Sequence, residues 1–188
     1  HVVDTGLVAD DTFTVDTLGG ARRVVAFRAA DGSVNEAELS MGAPRFEPGE
    51  IPANVSGRAA PLLDIPLHVS DYDLNVSLVS MGNPHAVAFL DEPPGSFPLC
   101  TVGPLVEEHK MFPSRVNFEI AKVSNAAEID ARVWERGTGE TLACGTGACA
   151  ITVAAILKGL CHNIVTVHLP GGDLTIEWPG GEQEVTLR

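Results

Sequence analysis

The residues with the clearest potential for chemistry lie in one stretch, Val133–Ala150, which reads VWERGTGETLACGTGACA. A predicted strand ends there, a glycine-rich turn follows, and Cys144 stands just before a predicted helix. The backbone N–H groups of Gly145, Thr146 and Gly147 then lack acceptors inside that helix. Such a helix start attracts anions, including a carboxylate, and stabilises a thiolate. We therefore expect a reactive Cys144 whose pKa lies below the ordinary value of about 8.5.

A charged pair, Glu135-Arg136, ends the predicted strand before this turn. Arg136 can bind a carboxylate with both arms of its guanidinium group, and Glu135 can accept hydrogen bonds from an ammonium group. Alone, the dipeptide is more typical of two solvated surface charges, and a lone cysteine is often a small core residue. Together with the flanking glycines, the pair favours the reactive interpretation of Cys144.

A second polar motif, SMGNPHAV at Ser80–Val87, places an Asn and a His around a Gly-Asn-Pro turn. Asn83 can both donate and accept hydrogen bonds, which suits an amino-acid head group, and His85 could support proton transfer. In isolation, a turn-capping Asn and a satisfied, partly buried His are the commoner arrangement. Asn117, in the predicted strand RVNF, says little by itself.

Composition restricts the class of protein. The chain of 188 residues carries 25 acidic residues against 12 Lys and Arg, a formal charge of −13. This balance argues against electrostatic binding to nucleic acid or to an anionic membrane. The hydrophobic content of 45% is enough for a packed core. We see neither a long apolar run nor a signal peptide, so we expect a cytoplasmic location.

The cysteines are expected to be free thiols, because a chain this long without a secretory signal rarely relies on disulfides. They are Cys100, Cys144, Cys149 and Cys161. Three of them, with His162, resemble a zinc site at first, but their spacing lacks paired CxxC motifs and Cys149 falls inside the predicted helix. We expect no metal, and no lysine is evidently placed to hold a cofactor aldehyde.

The elements that must position these residues are mostly strands. Alternating apolar residues and turns such as Gly19-Gly20 and Asp31-Gly32 predict antiparallel meanders. Strands are predicted at Phe13–Thr17, Arg22–Arg28, Ser33–Met41, Leu62–Val69, Asn75–Ser80, Ala86–Leu90, Val116–Val123, Glu128–Glu135, Ile164–Leu169, Asp173–Trp178 and Glu182–Arg188.

One segment is predicted to be helical, at about Thr146–Lys158, and Gly159 can end it. Since the segment is apolar on nearly every side, the helix should be buried. The fold class is therefore α+β, with antiparallel or mixed β-structure curled around a buried central helix. The Pro- and Gly-rich segment Gly42–Pro61 looks like a crossing between two lobes.

Four segments together closely resemble diaminopimelate epimerases: MGNPHAV, RVNFEI, WERGTGETLACGTGACA and LPGG. The resemblance extends from about Met41 to Pro179. It implies a cytoplasmic isomerase that uses no pyridoxal phosphate or other cofactor and interconverts LL- and meso-2,6-diaminopimelate on the route to lysine. It also implies a homodimer and two pseudo-symmetric lobes, with one cysteine from each lobe facing the α-carbon of this small-molecule substrate.

On this resemblance, Cys144 is the cysteine of the C-terminal lobe, and His85 and Glu135 assist the cysteines. Gly145 and Thr146 would donate N–H groups to the α-carboxylate. The substrate-binding residues would be Asn83, Asn117, Glu135, Arg136, Gly145 and Thr146.

The chain departs from the family pattern at its start, because the Cys-Gly-Asn-Gly-like motif with the other cysteine should precede Phe13 and is not present. The chain begins at His1. We therefore expect a fragment, with residues 1–48 as a remnant of the N-terminal lobe and 49–188 as the C-terminal lobe, whose last strands could return to the first. We expect this fragment alone to be inactive.

Three alternatives remain open on sequence alone. The chain could come from a proline or hydroxyproline racemase, although ERGTGET before the cysteine favours diaminopimelate. It could be a cysteine hydrolase using Cys144 and His85, which leaves the Asn and Arg residues unexplained. It could also be a binding module without catalysis.

Overall fold

The structure is a computed structural model that describes residues 1–17 and 20–188. Its two α-helices are α1 (Leu99–Glu107) and α2 (Gly145–Leu157), counted over the described residues, with a 3₁₀ turn at Pro94–Ser96. The strands are β1 (Thr12–Thr17), β2 (Gly20–Arg28), β3 (Val34–Gly42), β4 (Ile65–Val69), β5 (Tyr72–Ser80), β6 (Pro84–Phe89), β7 (Asn117–Asn125), β8 (Glu128–Glu135), β9 (Gly139–Thr141), β10 (Ile164–Leu169), β11 (Gly172–Glu177) and β12 (Val185–Leu187).

The strands form one mixed sheet in the order β1-β2-β3-β12-β11-β10-β8-β7-β6-β5-β4, with β9 paired to β8. Neighbouring strands are antiparallel except for two pairs, β6 with β7 and β8 with β10. Parallel neighbours need a crossover connection, and each crossover here contains one helix, α1 in the first and α2 in the second. The predicted α+β class is confirmed.

Helix α2 is the buried central helix that the sequence predicts. Its residues from Gly147 to Ala155 are buried, and it contacts β5, β6, β7, β10, β11 and β12. The helix ends as expected, because Gly159 has a φ of +70° and Leu160 N–H donates to the Ala155 carbonyl. Strands on several sides therefore enclose an element that has no polar face.

Helix α1 is not predicted from the sequence. It contains Gly103 and Pro104, both of which disfavour a helix interior. Packing overrides this preference: Leu99, Val102 and Val106 are fully buried in a core cluster of their own.

The N-terminal strands form the predicted antiparallel meander. Gly19, in the predicted first turn, lies outside the described residues. The last strand, β12, is shorter than the predicted Glu182–Arg188 and pairs with β3, with Val185 opposite Gly42. The C-terminus of the chain therefore joins the meander in the sheet. Neither described helix is long and apolar enough to cross a membrane.

Candidate active site

A cleft of about 580 Å³ lies between the β1–β3 meander and three loops. The meander contributes apolar side chains, among them Val15, Leu39 and Met41. The loops contribute Asn83, before β6, Arg136, after β8, and Thr146, at the start of α2. Polar groups from these three segments thus meet opposite a wall that is largely apolar but also includes Thr17 and Arg22, a form common in small-molecule sites.

Cys144 is the N-cap residue of α2, with extended backbone and a side chain that is only 7% exposed. Its Sγ accepts from Gly147 N–H at 3.4 Å and lies 3.5 Å from Thr146 Oγ1. Ala148 N–H donates to the Cys144 carbonyl. In the part of the chain that is described, the N–H groups of Gly145 and Thr146 have no acceptor. These two of the three predicted donors remain available to an anion, whereas the third, Gly147 N–H, is bonded to the sulfur.

The predicted lowering of the Cys144 pKa is wrong for this structure. The pKa of the thiol is raised to about 11, chiefly by burial and to a smaller extent by the nearby Glu119 and Glu135. The bonds to Thr146 and Gly147 lower the pKa, as a helix start should, but burial outweighs them. The sulfur is therefore protonated at neutral pH.

His85 does not contact Cys144. It is fully buried in β6, with Nδ1 2.6 Å from Glu119 Oε1 and Nε2 3.0 Å from Asn83 Oδ1. Asn83 Nδ2 donates in turn to Thr146 Oγ1 at 3.2 Å. His85 therefore reaches the sulfur only through two other side chains. The cysteine hydrolase alternative needs a direct imidazole–thiol contact, and this structure lacks one.

Glu119 is a site residue that the sequence analysis does not name. It is fully buried in β7, two residues after Asn117, and alternate strand residues share a face. Burial raises its pKa, and the charge of Glu135 adds to the effect, whereas His85 lowers it. The available signal was a carboxylate between the apolar residues Phe118 and Ile120 of RVNFEI.

Asn117 joins two of the site loops. Its Nδ2 donates to the Pro84 carbonyl at 2.9 Å, and its Oδ1 accepts from Arg136 N–H at 2.8 Å. The side chain is 4% exposed, so most of its hydrogen-bonding capacity is used on backbone groups. In this structure Asn117 fixes the spacing of the loops that carry Asn83 and Arg136.

The turn after β8 carries Glu135 and Arg136. Thr141 donates its hydroxyl hydrogen to Glu135 Oε1 at 2.6 Å. The exposed Arg136 donates from its guanidinium group to the Ser114 carbonyl at 3.0 Å. These contacts orient both side chains while leaving Arg136 on the wall of the cleft.

Glu107, the last residue of α1, holds this turn and is the second site residue that the sequence analysis does not name. Its Oε1 accepts from Gly137 N–H at 2.9 Å, and its Oε2 accepts from Trp134 Nε1 at 2.7 Å. The carboxylate therefore connects the end of a helix to both sides of Glu135-Arg136.

The other cysteines lie away from the cleft. Cys100 is exposed and donates to Glu140 Oε2, Cys149 is buried within α2, and Cys161 is half-buried; all are free thiols. Among the described residues no cluster of three or more His, Cys, Asp or Glu side chains could hold a metal ion.

Solved structures show the same fold. The chain superimposes on a probable proline racemase from Agrobacterium radiobacter K84 with a TM-score of 0.71 at 15% identity, covering 99% of this chain and 60% of the other. It superimposes on a hydroxyproline epimerase from Agrobacterium vitis with a TM-score of 0.68 at 15% identity, covering 100% and 60%. At these identities the likeness concerns the fold alone.

Curated relatives are more similar in sequence. A protein named diaminopimelate epimerase from Moorella thermoacetica is 46% identical over 187 residues, which cover 100% of this chain and 66% of the relative. Another of that name, from Halothermothrix orenii, is 41% identical, with coverages of 100% and 64%. The chain thus spans just under two thirds of the length of these relatives.

The family model described as diaminopimelate epimerase matches residues 77–188, which include Cys144, His85 and the Glu135-Arg136 turn. The match covers more than half of the chain. The chain belongs to the diaminopimelate epimerase family.

Proposed function

We propose that Cys144 is an acid–base group of a cofactor-independent epimerase that interconverts LL- and meso-2,6-diaminopimelate. The observation that carries the proposal is the start of α2, where the cysteine sulfur and two unpaired N–H groups lie together beside the cleft. The names of the curated relatives support the choice of substrate.

The helix start defines how the substrate binds. The α-carboxylate accepts from the N–H groups of Gly145 and Thr146, where the dipole of α2 also favours negative charge. This places the α-carbon near Cys144 Sγ. Arg136 and Asn83, on the cleft wall, bind the remaining polar groups of the substrate, and Glu135 accepts from an ammonium group.

The chemistry follows from these donors. An α-hydrogen of an amino acid is a very weak acid, so the negative charge that develops on the carboxylate side must be stabilised by fixed donors. Because the pKa of Cys144 is about 11, the positive charge of the substrate ammonium group would favour the thiolate. The substrate thus helps to generate its own base.

Epimerisation also needs a donor on the opposite face of the α-carbon. Among the residues that the structure describes, Cys144 is the one thiol beside the cleft, since Cys149 lies inside α2 and Cys100 bonds Glu140. We therefore assign one face of the substrate to Cys144 and expect little epimerisation by this chain on its own.

The proposal extends to the location, the pathway and the oligomeric state of the enzyme. The enzyme is located in the cytoplasm, where free thiols persist. It acts in lysine biosynthesis, and it forms a homodimer. The four free cysteines and the family support this assignment. Light scattering on the purified protein tests the dimer.

Incubation of the protein with LL-diaminopimelate in deuterated water tests the reaction. With this chain alone we expect little change in the LL-to-meso ratio, whereas a parent protein that supplies the second proton donor should show α-hydrogen exchange and a changing ratio without added cofactor. We also expect Arg136→Lys to raise KM about tenfold, because an ammonium cannot make the two-armed carboxylate contact. Activity on proline but not on diaminopimelate would instead assign the protein to the racemases that share its fold.

A further inference from the structure

We propose that Glu119 is a positioning residue: as a neutral carboxylic acid, it sets the direction of the hydrogen bonds that run through His85, Asn83 and Thr146 to the sulfur of Cys144. The inference rests on the proposed function only for the importance of Cys144.

The first step is the state of Glu119. Glu119 and His85 are both 0% exposed, and Glu119 Oε1 lies 2.6 Å from His85 Nδ1. The other oxygen, Oε2, is buried and has no hydrogen-bond partner within the described residues. A charged oxygen without a donor is far more costly to bury than a neutral carbonyl oxygen. The geometry therefore places the proton on Oε1, which donates it to Nδ1.

The second step is the direction of the next bond. If Nδ1 accepts, the neutral imidazole carries its hydrogen on Nε2. Nε2 lies 3.0 Å from Asn83 Oδ1 and donates to it. This fixes the orientation of the Asn83 amide, whose Nδ2 then points at Thr146 Oγ1, 3.2 Å away.

The third step reaches the sulfur. Because Thr146 Oγ1 accepts from Asn83, its own hydrogen is free to point at Cys144 Sγ, 3.5 Å away. The sulfur then has two donors, the Thr146 hydroxyl and Gly147 N–H, and both favour the thiolate. If Glu119 were a carboxylate and Nδ1 carried the only ring hydrogen, every bond would reverse, and Thr146 would donate to Asn83 instead.

An exposed pair provides the contrast. His168 Nδ1 lies 2.8 Å from Asp173 Oδ1, a similar contact on the surface. There the hydrogen bond to Asp173 raises the pKa of His168, as expected for an imidazolium beside a carboxylate. The two pairs differ in burial, so they should differ in where the shared proton lies.

The charged groups around the buried network are few. Glu119 faces His85 and Glu135, and Cys144 faces Glu119 and Glu135. A change in the charge of Glu119 should therefore be felt directly at Cys144.

Nitrogen-15 spectra of the imidazole rings test the first step without any substrate. We expect His85 at neutral pH to show the neutral tautomer with its hydrogen on Nε2, and His168 to show imidazolium character at lower pH. Glu119→Gln should keep the His85 tautomer, because its amide can donate to Nδ1. An imidazolium signal, or the Nδ1–H tautomer, at His85 in the wild type would overturn the proposal.

The pH dependence of Cys144 alkylation, followed by peptide mapping, tests the later steps. Thr146→Val should slow Cys144 alkylation about tenfold at fixed pH, because a donor to the thiolate is lost. In Glu119→Ala, His85 Nδ1 loses its protein donor and can bond only to water, so Cys144 alkylation should slow several-fold. Glu119→Gln should change the alkylation rate less than about twofold.

The matched control is Asp173→Asn, which should leave the Cys144 rate unchanged. If Glu119 were charged, Glu119→Gln would remove a negative charge beside Cys144 and accelerate alkylation about tenfold, which would refute the proposal. An unchanged rate in Glu119→Ala would also refute it. None of these readouts uses diaminopimelate, so they are independent of whether the proposed epimerase activity holds.

Discussion

The two crossovers of the sheet are alike in topology and opposite in what they bring to the cleft. Each joins parallel strands through one helix. Helix α2 begins at the cleft, where its N-cap residue Cys144 and the following N–H groups lie. Helix α1 ends beside the turn that carries Arg136, and its last residue, Glu107, accepts from Gly137 N–H in that turn.

The difference follows from the chemistry of helix ends. A helix start offers unpaired N–H donors and a positive dipole end, so α2 can bind an anion and carry the reactive sulfur with little else. A helix end offers carbonyl oxygens and a negative dipole end, which do not suit an anion. Helix α1 instead contributes the side chain of Glu107, which accepts from Gly137 N–H. We therefore expect changes in α2 to affect the chemical step and changes in α1 to affect stability and binding.

The largest effect should come from the start of α2. Cys144→Ala in the protein should lower α-hydrogen exchange by about 10³-fold or more, because it removes the group proposed as the base at the α-carbon. The matched control is Cys149→Ala, which removes a buried thiol from the same helix and should leave most of the exchange. Substantial exchange in Cys144→Ala would assign the base to another residue.

The next effect should come from the packing of α1. A Cβ at Gly103 would lie 2.5 Å from Trp134 Cδ2, so Gly103→Ala should lower the free energy of unfolding by about 2 to 3 kcal/mol. The nearest atom to a Cβ at Gly147 in α2 is Glu119 Oε1 at 3.2 Å, so Gly147→Ala should cost less. Urea unfolding of both variants gives the order, and equal losses would contradict it.

A smaller effect should come from the contact between α1 and the turn. Glu107→Gln leaves one oxygen to accept from either Gly137 or Trp134, and the freed turn should raise KM about tenfold with little change in kcat. Glu107 also pairs with Arg115, and Glu108→Gln is the matched control, since the exposed Glu108 pairs with the same arginine and its loss leaves the bonds to Gly137 and Trp134 in place. A change in kcat alone would show that the turn acts in the chemical step.

The smallest effect is the pH dependence of the free energy of unfolding, which should differ between the thiols of Cys144 and Cys100. The folded pKa of Cys144 is raised from 9.0 to about 11, so its contribution to stability is complete below 9 and is lost as the pH rises toward 11. Between about pH 9 and about pH 10 the free energy of unfolding should fall by about 1 kcal/mol more in wild type than in Cys144→Ala. Cys100→Ala, in α1, should change this slope much less, because solvent screens an exposed thiol.

The contrast between the helices also explains what the sequence could predict. Helix α2 is apolar on all sides and ends at a glycine, so local pattern and burial agree. Helix α1 contains Gly103 and Pro104, and it is helical because Leu99, Val102 and Val106 are buried, which only the tertiary structure decides. The limits of the strands were predicted to within a few residues wherever alternation was clear.

The site was predictable in its residue types and less so in its contacts. The motifs placed Cys144 beside the unpaired N–H groups and Asn83 on the cleft wall. They could not reveal that His85 turns toward Glu119, because that contact joins residues 34 positions apart on neighbouring strands. They also gave the wrong direction for the pKa of Cys144, since the degree of burial is a property of the whole fold.

The two hydrogen bonds between the Asn117 side chain and backbone groups restrict how the cleft can open. They tie the loop before β6 to the turn after β8, so these two parts of the wall move as one body unless a bond breaks. The opposite wall, the β1–β3 meander, is held to the rest of the sheet by the short pairing of β3 with β12. Entry and release of a ligand should therefore depend on hinge motion of the meander, while the loops that carry Asn83 and Arg136 stay in place.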